Sequence, residues 1–287
     1  MYSTFPELSR DTNFQAELKE VFTADRGIYV DPKIGRAVVK SGGLTVLGIV
    51  GSRYGVVNNA PIYEILCDGI QRSLPYDALD GVQLTEKTSR GGAFTQITLT
   101  FPGMGQEIRQ MSGSSTQLNF KADLTNTFDG SGSIRLKVGA VDLVCTNGLT
   151  VDQMHRKAVK HTSGFTPEIF ASFISEQCLN YRERVITWQR WANKEITSLD
   201  AQTMLEKNGF SDRRIKQVMD QMEVEFANRG RTVWATYSAL THYSSHSEGA
   251  FKVRKSEGSD NAAFTLDKRD NEVSRIISSN SFLTLAA

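Results

Sequence analysis

Cysteine, net charge and long apolar runs are all scarce in this sequence, and each scarcity excludes something. The three cysteines, Cys67, Cys145 and Cys178, are an odd and widely spaced set. That pattern points to reduced thiols in a cytosol and away from a secreted disulfide framework. With 33 Lys and Arg against 32 Asp and Glu the net charge is +1, so no global field draws the chain to DNA or to an acidic membrane. Any polyanion site must be a local patch. No apolar run approaches membrane-spanning length, and the opening MYSTFPELSR lacks an apolar signal core; both point away from a membrane and from export.

Catalytic signatures are missing too. The chain has no HExxH, no CxxC and no G-x-S-x-G elbow, and its acidic residues are scattered at surface spacing. Of the four histidines, His242 and His246 lie one helical turn apart and His155 and His161 sit near a change from strand to helix. No third ligand accompanies either pair, so surface or capping roles are expected and no metal. Cys67 is expected on the surface of the first helix and Cys145 inside a strand, neither with a base beside it. The chain reads as a non-enzyme without cofactors.

What is present is a well-punctuated α+β pattern of 287 residues, 39% of them hydrophobic, long enough to bury a sizeable core without metals or disulfides. Residues 1 to 35 read as an N-terminal arm. Within it, Asn13 to Phe22 is expected as a short amphipathic helix, because Phe14, Leu18 and Val21/Phe22 recur at helical spacing. Residues 36 to 150 read as a β-rich core with one helix. RAVVKS and LTVLGIV flank Gly42-Gly43 as a hairpin, and Asn58 or Asn59 with Pro61 opens a helix over 59 to 73. From Gly81 onward the period becomes two: Ile97, Leu99 and Phe101 alternate with polar residues, as do Leu118, Phe120, Ala122 and Leu124, then Ile134, Leu136 and Val138. These runs predict a meander with one apolar and one polar face. Residues 151 to 247 read as helical, starting at Thr166-Pro167-Glu168 with a long amphipathic run and broken at Asn208-Gly209. Residues 248 to 287 read as a flexible tail, mobile over 248 to 270, with a terminal helix that docks or binds a neighbour.

The glycines of Gly48 to Gly55 resemble a phosphate cradle only superficially. They do not match G-x-x-x-x-G-K-[ST] and do not open a βαβ unit, so a bulge and tight turn are expected there. Basic residues offer a better ligand signal. Lys87 and Arg90 flank Gly91-Gly92 and Phe94; Lys121, Arg135 and Lys137 fall on the polar strand face; Arg156, Lys157 and Lys160 cluster where sheet gives way to helix. Arg53 and Tyr54 are displayed on the glycine corner. Cations with Thr, Asn and aromatic groups between them suit a sequence-tolerant groove for single-stranded DNA, in which Phe94 or Tyr54 stacks on bases. A solvated outer face is the competing account, with Asp123 across the hairpin from Arg135 or Lys137.

Four landmarks carry a family resemblance. Gly48 to Asn59, GIVGSRYGVVNN, is similar to the VG-x-x-Y-x-x-V-Q-N hallmark of the phage and plasmid protein family catalogued as domain of unknown function 932. Val141 to Leu149 resembles its Cys-x-Asn strand; Lys160-His161-Thr162 resembles its KHT; Thr232 to Tyr243 resembles its W-x-x-x-N-A-x-T-E-Y segment. Asn58, Ser238 and His242 depart from the Gln, Asn and Glu of those motifs. The resemblance implies a phage or plasmid origin and the bacterial cytosol. By element order alone, the chain is also similar to phage single-strand annealing proteins of the RecT and Red-beta kind. The resulting expectation is an α+β protein, a mostly antiparallel sheet with a helix across one face and a helical C-terminal region. It is expected to bind single-stranded DNA as a ring or filament, as a strand-annealing accessory without ATP. The alternative is a protein-binding inhibitor of a host nuclease or defence system.

Overall fold

Alternation of apolar and polar residues along three long strands decides the centre of the fold. The computed structural model describes residues 5–22, 29–30, 35–43, 45–142, 155–162, 165–166, 168–246 and 261–287. Strands β6 (Gln83–Ser89), β7 (Phe94–Arg109), β8 (Ser115–Thr127) and β9 (Ile134–Asp142) form the expected antiparallel meander, and β10 (Arg156–Val159) adds a fifth strand beside β9. The registers Ile97↔Leu124, Leu99↔Ala122 and Leu124↔Leu136 bring the apolar residues onto one face. Asp123 lies opposite Lys137, as the alternation implies. Pro102, which has no N–H to donate, falls where the β7–β8 register shifts between Phe101 and Gln106.

The apolar face is covered by helices. Helix α1 (Asn59–Ser73) contributes buried Ile62, Leu66 and Ile70 to the same core as the sheet. Its neighbour α2 (Ile169–Leu179) comes so close that a Cβ on Gly69 would meet Ile174. Cys67, expected at the surface, is buried as well; it lies on the side of α1 that carries Tyr63, whose hydroxyl donates to Pro6 O at 2.6 Å, and not on the side where Gly69 meets α2. The single long helix expected after Pro167 is interrupted at Asn180, giving α2 and α3 (Tyr181–Asn193). Helices α4 (Ser198–Lys207) and α5 (Asp212–Arg229) follow, separated at Gly209, whose φ of 74° suits glycine. α6 (Val233–Ser245) packs against α3 and α5 and is buried along nearly its whole length, with Trp234 fully enclosed.

A smaller sheet holds the N-terminal part. β4 (Arg36–Lys40) and β5 (Val46–Val50) form the expected hairpin, and β1 (Ala16–Lys19) pairs with β4, where a helix was expected. The reason is arithmetic: Phe14 and Leu18 are four apart, a spacing common to both periods. The edge of β4 supplies backbone partners that a helix would leave unused, and Phe14, Ala16 and Leu18 all reach the cluster around Val38 and Phe128. β2 (Val21–Phe22) and β3 (Tyr29–Val30) make a separate two-stranded pair.

The tail expected to be mobile over 248 to 270 is helical from Ala262: α7 (Ala262–Ile277) and α8 (Asn280–Ala286) bury Val273, Ile276, Ile277 and Phe282 in the main core. Residues 248 to 260, like Cys145 and the rest of 143–154, lie outside the described residues. Among the described residues, no helix is long and apolar enough to cross a membrane.

The glycine corner resolves as a bulge and turn. The β4–β5 register shifts between Val38 and Val39, facing Gly48, and Tyr54 N donates to Gly51 O at 3.1 Å. Gly48 rests on the chain of Asp129, in the turn between β8 and β9, so a Cβ there would overlap backbone that cannot swing aside. Gly48→Ala is therefore expected to destabilise the protein by about 1–3 kcal/mol; a urea midpoint equal to wild type would show that the contact is dispensable.

Candidate nucleic-acid interface

The polar face of the five-stranded sheet collects most of the residues singled out from the sequence. Lys87 on β6, Lys121 on β8, Arg135 and Lys137 on β9 and Arg156 on β10 share this face by register. So does Phe94, which is fully buried and has no face free for a base. It makes an edge contact with Phe264 of α7 at 5.6 Å, because α7 lies across this side of the sheet.

Carboxylates on the inner side of α7 hold the cations. Asp267 Oδ2 accepts from Arg135 at 2.5 Å, and Asp270 Oδ2 lies 2.5 Å from both Lys137 Nζ and Arg156 Nη2. Asn271 Oδ1 accepts the other Arg156 amine. Lys121 pairs with Asp123 at 2.8 Å, and Thr98 donates to the same carboxylate. Burial alone would raise the pKa of Asp270; Lys137 and Arg156 outweigh it and hold the carboxyl well below its ordinary range. Burial likewise works against the Lys137 charge, and Asp270 and Asp267 reverse it, keeping its pKa above that of a free lysine. At neutral pH the network is ionised, with Lys121, Arg135, Lys137 and Arg156 facing Asp123, Asp267 and Asp270. It borders a polar cavity of about 250 Å³ reached by Lys87, Lys121, Thr98 and Ser244.

Arg90 is also occupied. It sits at φ 55°, in the left-handed region disfavoured for side chains. From there it pairs with Asp129 at 2.6 Å, donates to Asn261 Oδ1 at 2.9 Å and lies 3.6 Å over the Phe264 ring. Of the expected DNA contacts, Arg53, Lys87 and Lys160 are exposed and Lys157 is half-buried.

Tyr54 proves to be a fastener. Its hydroxyl donates to Thr127 O at 2.8 Å, its ring stacks on His161 at 4.8 Å, and its backbone bridges Thr162. The glycine corner and Lys160-His161-Thr162, far apart in sequence, thus meet in space. Asn58 and Asn59 act alike. Neither caps α1 through its side chain in the structure's contacts: Asn58 Oδ1 accepts from Ala16 N, and buried Asn59 bonds Thr12 O, Thr95 and Asn126. His242 and His246 stack on each other at 4.4 Å, and among the described residues no group of three or more His, Cys, Asp or Glu is placed to hold a metal ion.

A second surface escaped the sequence reading. Between α5 and the outer side of α7 runs a groove of about 770 Å³ into which Arg213, Arg214, Lys268, Arg269 and Arg275 project. Glu272 is the one carboxylate in its lining; it pairs with Arg214 at 2.7 Å. Arg213, Lys268 and Arg275 are exposed, while Arg269 lies over the Tyr243 ring at 4.8 Å. The signal was there in Asp267-Lys268-Arg269-Asp270: acids three apart fall on one side of a helix and bases on the other. The separation exists only in a helix, and a flexible tail, as expected here, would not show it.

Burial beside Tyr54 pushes the His161 pKa down from 6.5 to about 4. Below pH 6.5 the unfolded chain therefore takes up this proton more readily than the folded one. The contribution to stability is complete above pH 6.5 and is lost as pH falls towards 4, at no more than about 1.4 kcal/mol per pH unit. His161→Gln should flatten the stability profile across that window, measured by urea denaturation. Asp123 and Asp270, whose pKa values are lowered from 3.8, act only at more acid pH, and an unchanged slope between pH 6.5 and 4 would exclude His161 as its source.

No curated protein and no solved structure matches the chain. A family model described as "Domain of unknown function (DUF932)" matches residues 46–271, from the first residue of β5 to a point in α7 beyond Asp267 and Asp270. The corner, the sheet, the helical region and the acidic side of α7 all fall within that match, and the chain belongs to this family.

Proposed function

We propose that the protein binds single-stranded DNA, as a phage- or plasmid-encoded recombination accessory that aligns strands for annealing as an oligomer, without nucleotide hydrolysis. The observation that carries this reading is the α5–α7 groove, where five cations face one carboxylate and four of the cations, Arg213, Arg214, Lys268 and Arg275, are exposed. Gln217 and Thr265 add neutral hydrogen-bonding groups to the lining. Cations interleaved with such groups hold a phosphate backbone without reading bases. A net charge of +1 does not oppose this, since an oligomer repeats the groove and gains avidity along one strand. Of the sheet-face cations named from the sequence, Arg135, Lys137 and Arg156 are engaged by α7 and Lys121 by Asp123, which favours the groove as the first point of contact.

The test is fluorescence anisotropy with labelled oligothymidylate. Binding at low salt is expected, with log K falling against log salt at a slope of about −2 per subunit, for three phosphates neutralised. Arg213→Glu with Arg275→Glu should weaken binding at least about tenfold and leave the melting temperature unchanged. No binding at low salt, binding indifferent to salt, or a double variant as tight as wild type would sink the reading.

A further inference from the structure

We infer that the polar face of the five-stranded sheet is a second surface for a nucleic-acid phosphate backbone, and that the first half of α7 is its resident acidic stand-in. The inference rests on the DNA-binding reading above and names a different surface for it.

Three observations converge. First, five cations, Lys87, Lys121, Arg135, Lys137 and Arg156, come from four strands onto one face, where Asp123 is the one strand carboxylate ion-paired among them; Glu107 and Arg109 share the face by register beyond the irregularity in β7. Asp267 and Asp270 of α7 supply the carboxylates that Arg135, Lys137 and Arg156 meet, which leaves the cations of the face in excess. Carboxylate and phosphate oxygens are interchangeable partners for a guanidinium, so the groups that meet Asp270 can meet a phosphate in the same way.

Second, the first half of α7 is held differently from the second. Val273, Ile276 and Ile277 are buried in the main apolar core. The first half instead contributes Asp267, Asp270 and Asn271 to polar contacts, with Phe264 between Phe94 and Arg90 as its aromatic contact. A fully paired buried ion network is close to neutral in stability, whereas breaking one side alone is costly. Exchange for another polyanion is therefore the low-cost way to release the helix.

Third, the face is incompletely matched to its cover. Ser89, Thr125 and Thr127 lie on it by register, are buried, and have hydroxyls without a hydrogen-bond partner among the described residues. Hydroxyls are the neutral groups that phosphate oxygens accept from.

The experiment neutralises the stand-in. Asp267→Asn with Asp270→Asn should raise affinity for labelled oligothymidylate by about tenfold at low salt and steepen its salt dependence. The gain should persist when Arg213→Glu and Arg275→Glu are added, because those residues lie on the other side of α7. Hydrogen exchange on the wild-type protein gives a second readout that does not depend on the variant folding: oligonucleotide should speed exchange in residues 262–271 and slow it in β8 and β9. If wild type binds DNA but the Asn variant gains nothing, or if 262–271 become more protected on binding, the stand-in is disproved and the groove survives. If the Asn variant binds while wild type does not, the groove fails and the sheet face stands.

Discussion

One parity rule underlies the molecule. Along β7, β8 and β9 successive side chains alternate between the apolar core and the face that meets α7. A slip of one residue would exchange Leu136 and Val138 for Arg135 and Lys137 in the core. Both faces are therefore committed, one to Ile62, Leu66 and Ile70 of α1 and the other to the carboxylates of α7. The register is enforced twice, by the exclusion of charge from the apolar side and by ion pairing on the polar side. The charged face is buried where it is answered: Arg135, Lys137 and Arg156 by the carboxylates of α7 and Lys121 by Asp123, while Lys87 stays exposed.

The near-zero net charge takes on a different meaning in this light. It does not describe an evenly mixed surface. Much of the positive charge on the sheet is cancelled internally by α7, while the opposite side of the same helix joins α5 in a cationic groove. A single amphipathic element thus sorts the two signs, acids inward and bases outward.

The elements legible in the sequence were those set by local period and punctuation: the β4–β5 hairpin around Gly42, the meander, α1 from Asn59 to Ser73, and the helical stretch after residue 166. What stayed hidden depended on partners distant in the chain. The Phe14 to Leu18 spacing fits a strand as well as a helix, and only the free edge of β4 decides between them. Polar Ala262 to Asn271 has little apolar pattern of its own, and its helix is legible only once the cations of β9 and β10 are placed opposite it. Tyr54 was marked as a displayed residue because its sequence neighbours are glycines, yet its ring and hydroxyl are spent on His161 and Thr127. The basic residues were found, but which of them remain available was set by α7.

The contact of Gly48 with Asp129 has a bearing on the order in which the chain assembles. The N-terminal hairpin is made first during synthesis, but the turn on which it rests belongs to strands that appear much later. Asn59, likewise, waits for Thr95 and Asn126. Loop closure over such separations comes at an entropic cost that local contacts do not bear. The segment from Gly48 to Asn59 thus emerges early yet depends for its contacts on Thr95, Asn126 and Asp129, a clasp with nothing to close on until the meander is there.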